Sequence, residues 1–73
     1  MQNMLRFENK ENGRFYYLRL EKDVTDADIL VIVRGGRNVR VTRSYSFDSR
    51  QDCEKKIRQV VRRRIRHGYT LVM

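Results

Sequence analysis

The sequence predicts an α+β fold, a small antiparallel β-sheet of about four strands packed against one C-terminal α-helix. Three observations lead there. Short stretches up to Phe47 alternate apolar with polar residues or run through β-branched ones, the pattern of strands. Asn12-Gly13, Asp23 to Asp28 and Gly35-Gly36 separate those stretches with turn chemistry. After Ser49 the apolar spacing lengthens to that of a helix.

Met4-Leu5-Arg6-Phe7-Glu8 is the first strand candidate, and Asn9-Lys10-Glu11-Asn12-Gly13 turns the chain. From Arg14 to Lys22, Tyr16, Leu18 and Leu20 share one side while Phe15, Tyr17, Arg19 and Glu21 share the other, so this strand is half buried. Asp23 to Asp28 reads as a polar loop. Ile29-Leu30-Val31-Ile32-Val33 is too short for an independent helix and suits a central strand. Past Gly35-Gly36, residues Val39, Val41, Tyr45 and Phe47 share one parity, and Arg43 falls among them, which points to a bulge or an edge position.

Ser49 followed by Asp52 resembles a capping box. It would start a helix with Asp52 and Glu54 near its positive end and Arg62, Arg63, Arg64 and Arg66 near its negative end. Gly68 suits the left-handed position that closes the last turn, and Tyr69 to Val72 then return to the sheet or the core. Cys53, Ile57, Val60, Val61 and Ile65 form one apolar arc; Lys55, Arg58, Arg62 and Arg66 lie opposite. Arg64 projects into the apolar arc, so either its stem snorkels or it makes a buried polar contact.

At 73 residues the chain accommodates one domain, expected to span 1–73, with little room for a deep catalytic cleft. The 40% apolar content separates it from disordered chains. No apolar run approaches a membrane span and the N-terminus lacks a signal-peptide core, so a cytoplasmic protein is expected, without membrane attachment. The net charge of +8 is unevenly placed: residues 1–33 net −1 and residues 34–73 net +9. Such segregation focuses a positive field on one surface, the electrostatic footprint of a polyanion binder.

Chemistry beyond binding finds little support. A nucleophile and base would have to come from His67, Cys53 and a few hydroxyls. His67 at the helix end suits a cap, and Cys53 on the apolar arc suits a buried inert thiol. A lone cysteine also leaves no disulfide and no multi-cysteine metal site. Asp23, Asp26 and Asp28 do not follow the spacing of a calcium loop, and Gly35-Gly36 follows neither phosphate-binding fingerprint. The expectation is therefore no catalytic residue, no metal, no cofactor and no small-molecule substrate.

The basic residues carry the functional expectation. Arg34, Arg37, Arg40 and Arg43 recur every third residue through one hairpin, and Lys55, Lys56, Arg58, Arg62, Arg63 and Arg66 extend the charge along the helix. Guanidinium forks beside a glycine turn suit phosphate oxygens, which makes Arg34, Gly36, Arg37, Arg40 and Arg43 the candidate nucleic-acid-binding set. Among the aromatics, Phe15 and Tyr17 are the better candidates for exposure. The other reading is a protein-interaction module whose basic face meets an acidic partner.

Three segments together resemble the WGR domain: Arg14-Phe15-Tyr16-Tyr17-Leu18-Arg19-Leu20, Arg34-Gly35-Gly36-Arg37, and the helix ending in Arg64-Ile65-Arg66-His67-Gly68-Tyr69. The resemblance covers nearly the whole chain. It implies a Phe-Tyr strand, a strand leading into Trp-Gly-Arg, a further strand and a closing helix. In poly(ADP-ribose) polymerases it goes with DNA-end binding, in which the Trp packs on a terminal sugar and the Arg contacts the backbone. It therefore implies DNA as the partner here. Gly35 stands where the family has its Trp, so only the role of Arg37 carries over, and Arg64 matches the family's basic residue near the helix end.

Overall fold

The computed structural model describes residues 4–72, so residues 1–3 and 73 of the expected domain lie outside the described residues. Strands β1 (Met4–Asn9), β2 (Arg14–Lys22), β3 (Asp28–Gly35) and β4 (Arg40–Phe47) follow one another as an antiparallel meander. Helix α1 (Arg50–Arg66) and the two-residue strand β5 (Thr70–Leu71) complete the chain. The sheet order is β4-β3-β2-β1-β5, so β5 adds a fifth strand to the expected four by pairing with β1, Phe7 opposite Leu71.

Each turn is closed by the residues that suit it. Gly13 takes φ +72°, and its N–H donates to the Asn9 carbonyl at 2.9 Å, which joins β1 to β2. In the acidic loop the Asp23 carboxylate accepts from the Thr25 hydroxyl at 2.6 Å and from the Thr25 and Ala27 amides, and these bonds hold its pKa below the ordinary carboxylate value.

Helix α1 begins as expected, with the Ser49 hydroxyl accepting from the Asp52 amide at 3.2 Å. It ends in a Schellman motif. Tyr69 N–H donates to the Arg64 carbonyl, Gly68 N–H donates to the Ile65 carbonyl, and Gly68 takes φ +86°. Asn9 ties this end to the sheet through a 3.4 Å bond from its side-chain amide to the His67 carbonyl.

The core lies between α1 and one face of the sheet. Phe7, Tyr16, Leu18, Leu30 and Ile32 face Cys53 and Val60, with Ile57 and Val61 packed alongside. Phe7, Leu30 and Cys53 are fully buried; burying a side chain of Leu or Phe size contributes about 1.5–3 kcal/mol. Burial also raises the Cys53 pKa, as befits an inert thiol. Ile65 departs from the expected apolar arc, because it is 60% exposed and Arg64 holds the inward position instead. The helix meets the sheet along Cys53, Ile57, Val60 and Arg64, a regular helical stripe on which Ile65 is one step too far round.

Joining β4 to β5 requires α1 to travel from one sheet edge to the other, roughly 19 Å over four strand spacings, and its 17 residues span about 25 Å. The helix therefore runs obliquely over the sheet. A corner of β3 and β4 next to their hairpin is left without helical cover.

Candidate nucleic-acid interface

Strand register decides which arginines reach that corner. Tyr16 pairs with Arg34 and Arg34 with Val41, while Ile32 pairs with Arg43, so Arg34 and Arg43 both stand on the helix side of the sheet. The β3–β4 ladder is unbroken from Asp28 opposite Phe47 to Gly35 opposite Arg40. Of the two explanations expected for Arg43, an edge position is the one found and no bulge is present. Arg43 keeps its apolar parity because the helix does not extend over it, leaving its cation in water.

Two adjoining clefts open at this corner, about 190 and 160 Å3 in volume. Arg34, Val41 and Arg43 line the strand side, Lys56, Gln59, Val60, Arg63 and Arg64 line the helix side, and Tyr16, Ile32 and Tyr45 form the shared floor. Lys56, Gln59 and Arg63 reach one bank because three and four residues are one helical turn. The lining holds five cations and no carboxylate, and among the described residues none of the five forms a salt bridge. Each cleft by itself is smaller than the roughly 300–1,000 Å3 that encloses a drug-sized ligand.

Arg64 differs from the other four. Its guanidinium lies 4.5 Å from the centre of the Tyr16 ring and 5.4 Å from that of Tyr69, while its buried Nε has no hydrogen-bond partner. Two ring faces thus take the guanidinium, where a snorkelling stem or a buried polar contact was expected. They also supply the packing between the ends of the Schellman motif that apolar residues usually provide.

The remaining members of the expected set are dispersed. Arg40 stands on the opposite face of the sheet, beside Gly35 and Phe15. Arg37 is exposed at the hairpin tip. The Gly36 amide donates to the Val39 carbonyl at 2.9 Å, so it closes the hairpin and is not free for a phosphate. Val39 belongs to this loop rather than to β4, and it is 63% exposed. Gly35 has no space for any side chain, since a Cβ there would lie 2.1 Å from the Val39 carbonyl oxygen.

Lys56 and Arg63, expected only to extend the charge along the helix, and Tyr45 join the groove from outside the hairpin-centred set. Lys56 and Arg63 flank Val60, at one step to the side of the apolar stripe, a spacing that marks the border of a docked helix face. Tyr45 is half buried, with the Lys56 ammonium 5.0 Å from its ring centre. Comparison of the chain with family models, curated proteins and solved structures finds no match.

Proposed function

We propose that this chain binds the phosphate backbone of a nucleic acid along the groove between α1 and the β3–β4 corner. The observation that supports it is a lining of five cations without one carboxylate. Arg34 and Arg43 offer guanidinium forks from one bank, and Lys56 and Arg63 offer charge from the other. Arg64 positions Tyr16 and Tyr69 rather than contacting phosphate. Arg37 extends the positive surface to the hairpin tip, and the resemblance to the WGR domain puts DNA first among the polyanions. The role is recognition without catalysis.

Two arginines of the same strand test the site. Arg43→Ala and Arg40→Ala remove equal charge from opposite faces of the sheet. With about three to five phosphate contacts, the logarithm of affinity against that of salt should fall with a slope of roughly −2 to −4.5. Arg43→Ala should flatten that slope by about one, Arg40→Ala should leave it nearly unchanged, and Arg37→Ala should outweigh Lys55→Ala. Equal effects of Arg43→Ala and Arg40→Ala would mean binding follows net charge without a site. Absence of DNA binding even at low salt overturns the reading in favour of an acidic protein partner.

A further inference from the structure

We infer that the groove takes a single strand rather than a duplex, and that an unpaired base stacks on Tyr45. The inference rests on the nucleic-acid reading of the groove and specifies its ligand. The first reason is shape. The site lies in the angle between an oblique helix and the sheet, and its floor is shared by both clefts. A duplex is a stiff rod, with a persistence length of about 50 nm, and would rest on the rims of such an angle; a single strand bends into it.

The second reason is the floor. Tyr45, half buried, leaves part of its ring open between the two cationic banks, beside the half-buried Val41 of the strand bank and the buried Tyr16 and Ile32. The apolar faces of bases are available only when they are unstacked, and a basic track with aromatic platforms is how single strands are held without sequence preference. In a duplex those faces are hidden and the floor would meet nothing.

Tyr45 is the platform because the other floor tyrosine is occupied. Tyr16 is 9% exposed, carries the Arg64 guanidinium on its face and meets the Tyr69 ring edge-on at a centroid distance of 6.2 Å. Tyr45 sits on edge strand β4, and the cation on it belongs to Lys56, whose flexible stem can swing the ammonium from the ring to a phosphate as a base takes its place. The exchange leaves both groups partnered.

The test uses the full chain with three probes: a labelled oligothymidylate, a duplex of equal length, and inorganic polyphosphate as a base-free competitor. The single strand should bind at least tenfold tighter than the duplex at equal salt. Tyr45→Leu, which keeps apolar bulk over the core, should weaken single-strand binding about tenfold and leave duplex binding and polyphosphate competition unchanged. Tyr45→Phe should restore the affinity. The chain has four Tyr and no Trp, so tyrosine emission gives a second readout. A single strand should quench it in the native chain, and less in Tyr45→Phe, which decides the matter even if Tyr45→Leu fails to fold. Equal affinity for duplex and single strand, or quenching that Tyr45→Phe leaves unchanged, overturns the inference. If Arg43→Ala still weakens all three probes in that case, the phosphate-groove reading stands without it; if the native chain binds none of them, both fall together.

Discussion

The two faces of the sheet hold the same residue types and treat them oppositely. On the face away from the helix, Arg6 pairs with Glu8 at 3.0 Å and Arg19 with Glu21 at 2.7 Å, each two residues along its own strand. These cations are neutralised by the alternation that put them there. Beneath them Phe15, Tyr17, Ile29 and Val33 are half buried and Val31 is buried, although no other element covers that face among the described residues. Arg6 also lies 4.7 Å from the Tyr17 ring centre. The expected exposure of Phe15 and Tyr17 is thus partial, because neighbouring side chains lie over the apolar residues. On the helix side the cations of the groove face no carboxylate at all. Similar arginine content thus gives ion pairs on one face and a groove of cations without carboxylates on the other.

Removing the helix is the largest way to break the comparison. A chain ending before Ser49 would leave Phe7, Leu30 and Ile32 as bare as the opposite face without its covering side chains. It should show no cooperative thermal transition by circular dichroism. A sharp melt of that fragment would mean that the sheet has another source of stability.

The hairpin glycines come next. Gly35→Ala drives a Cβ against the Val39 carbonyl oxygen and, at 3.0 Å, against the tip of the Phe15 ring. Its expected cost is about 3 kcal/mol or more. Gly36→Ala meets only the Arg14 side chain at 3.6 Å and should stay within about 0.5 kcal/mol. Comparable denaturation midpoints for the two would show that the hairpin relaxes freely and that Gly35 is not a steric requirement.

Arg64→Ala should destabilise by about 1–2 kcal/mol, because it strips two ring faces at the helix end, whereas Arg62→Ala on the exposed side should change stability by less than about 0.5 kcal/mol. Equal urea midpoints would place Arg64 with the solvated cations of the groove and undo its structural role.

The smallest effect concerns Asp28, opposite Phe47 at the end of the β3–β4 ladder. Burial works against its charge, but the ion pair with the Lys22 ammonium at 3.3 Å and the hydrogen-bonded ion pair with Arg50 at 3.0 Å prevail and hold its pKa below the ordinary carboxylate value. A lowered folded-state pKa adds stability that is complete above the unfolded value of about 4 and is lost as pH falls through the folded value. Unfolding free energy should therefore decline on acidification below about pH 4, and Asp28→Asn should make the decline shallower. An unchanged acid limb in Asp28→Asn would assign it to Asp23 and the other carboxylates.

The strands, the helix and its caps were legible in the chain because each rests on local chemistry. The alternation of β2, the Ser49 cap and the Gly68 closure all depend on residues a few positions apart. Arg64 also announced itself by projecting into an apolar arc. The fold divides the expected set: Arg34, Gly36, Arg37, Arg40 and Arg43 were grouped by regular spacing in the hairpin, yet a spacing of three carries alternate residues to opposite faces of a strand. That separates Arg40 from Arg43, and the Gly36 amide is consumed by the hairpin itself.

By itself, the sequence determined the element order, the side of each strand that seeks the core and the concentration of positive charge after Val33, since these follow from periodicity, turn residues and composition. Only the tertiary structure decided that Arg34 and Arg43 share a groove with Lys56, Arg63 and Tyr45, that Arg64 lies between two rings, and that Ile65 faces solvent. The physical reason is the oblique path of one helix between the two edges of the sheet. Its direction sets which corner stays open, and that is a relation between residues far apart in the chain on which no local pattern bears.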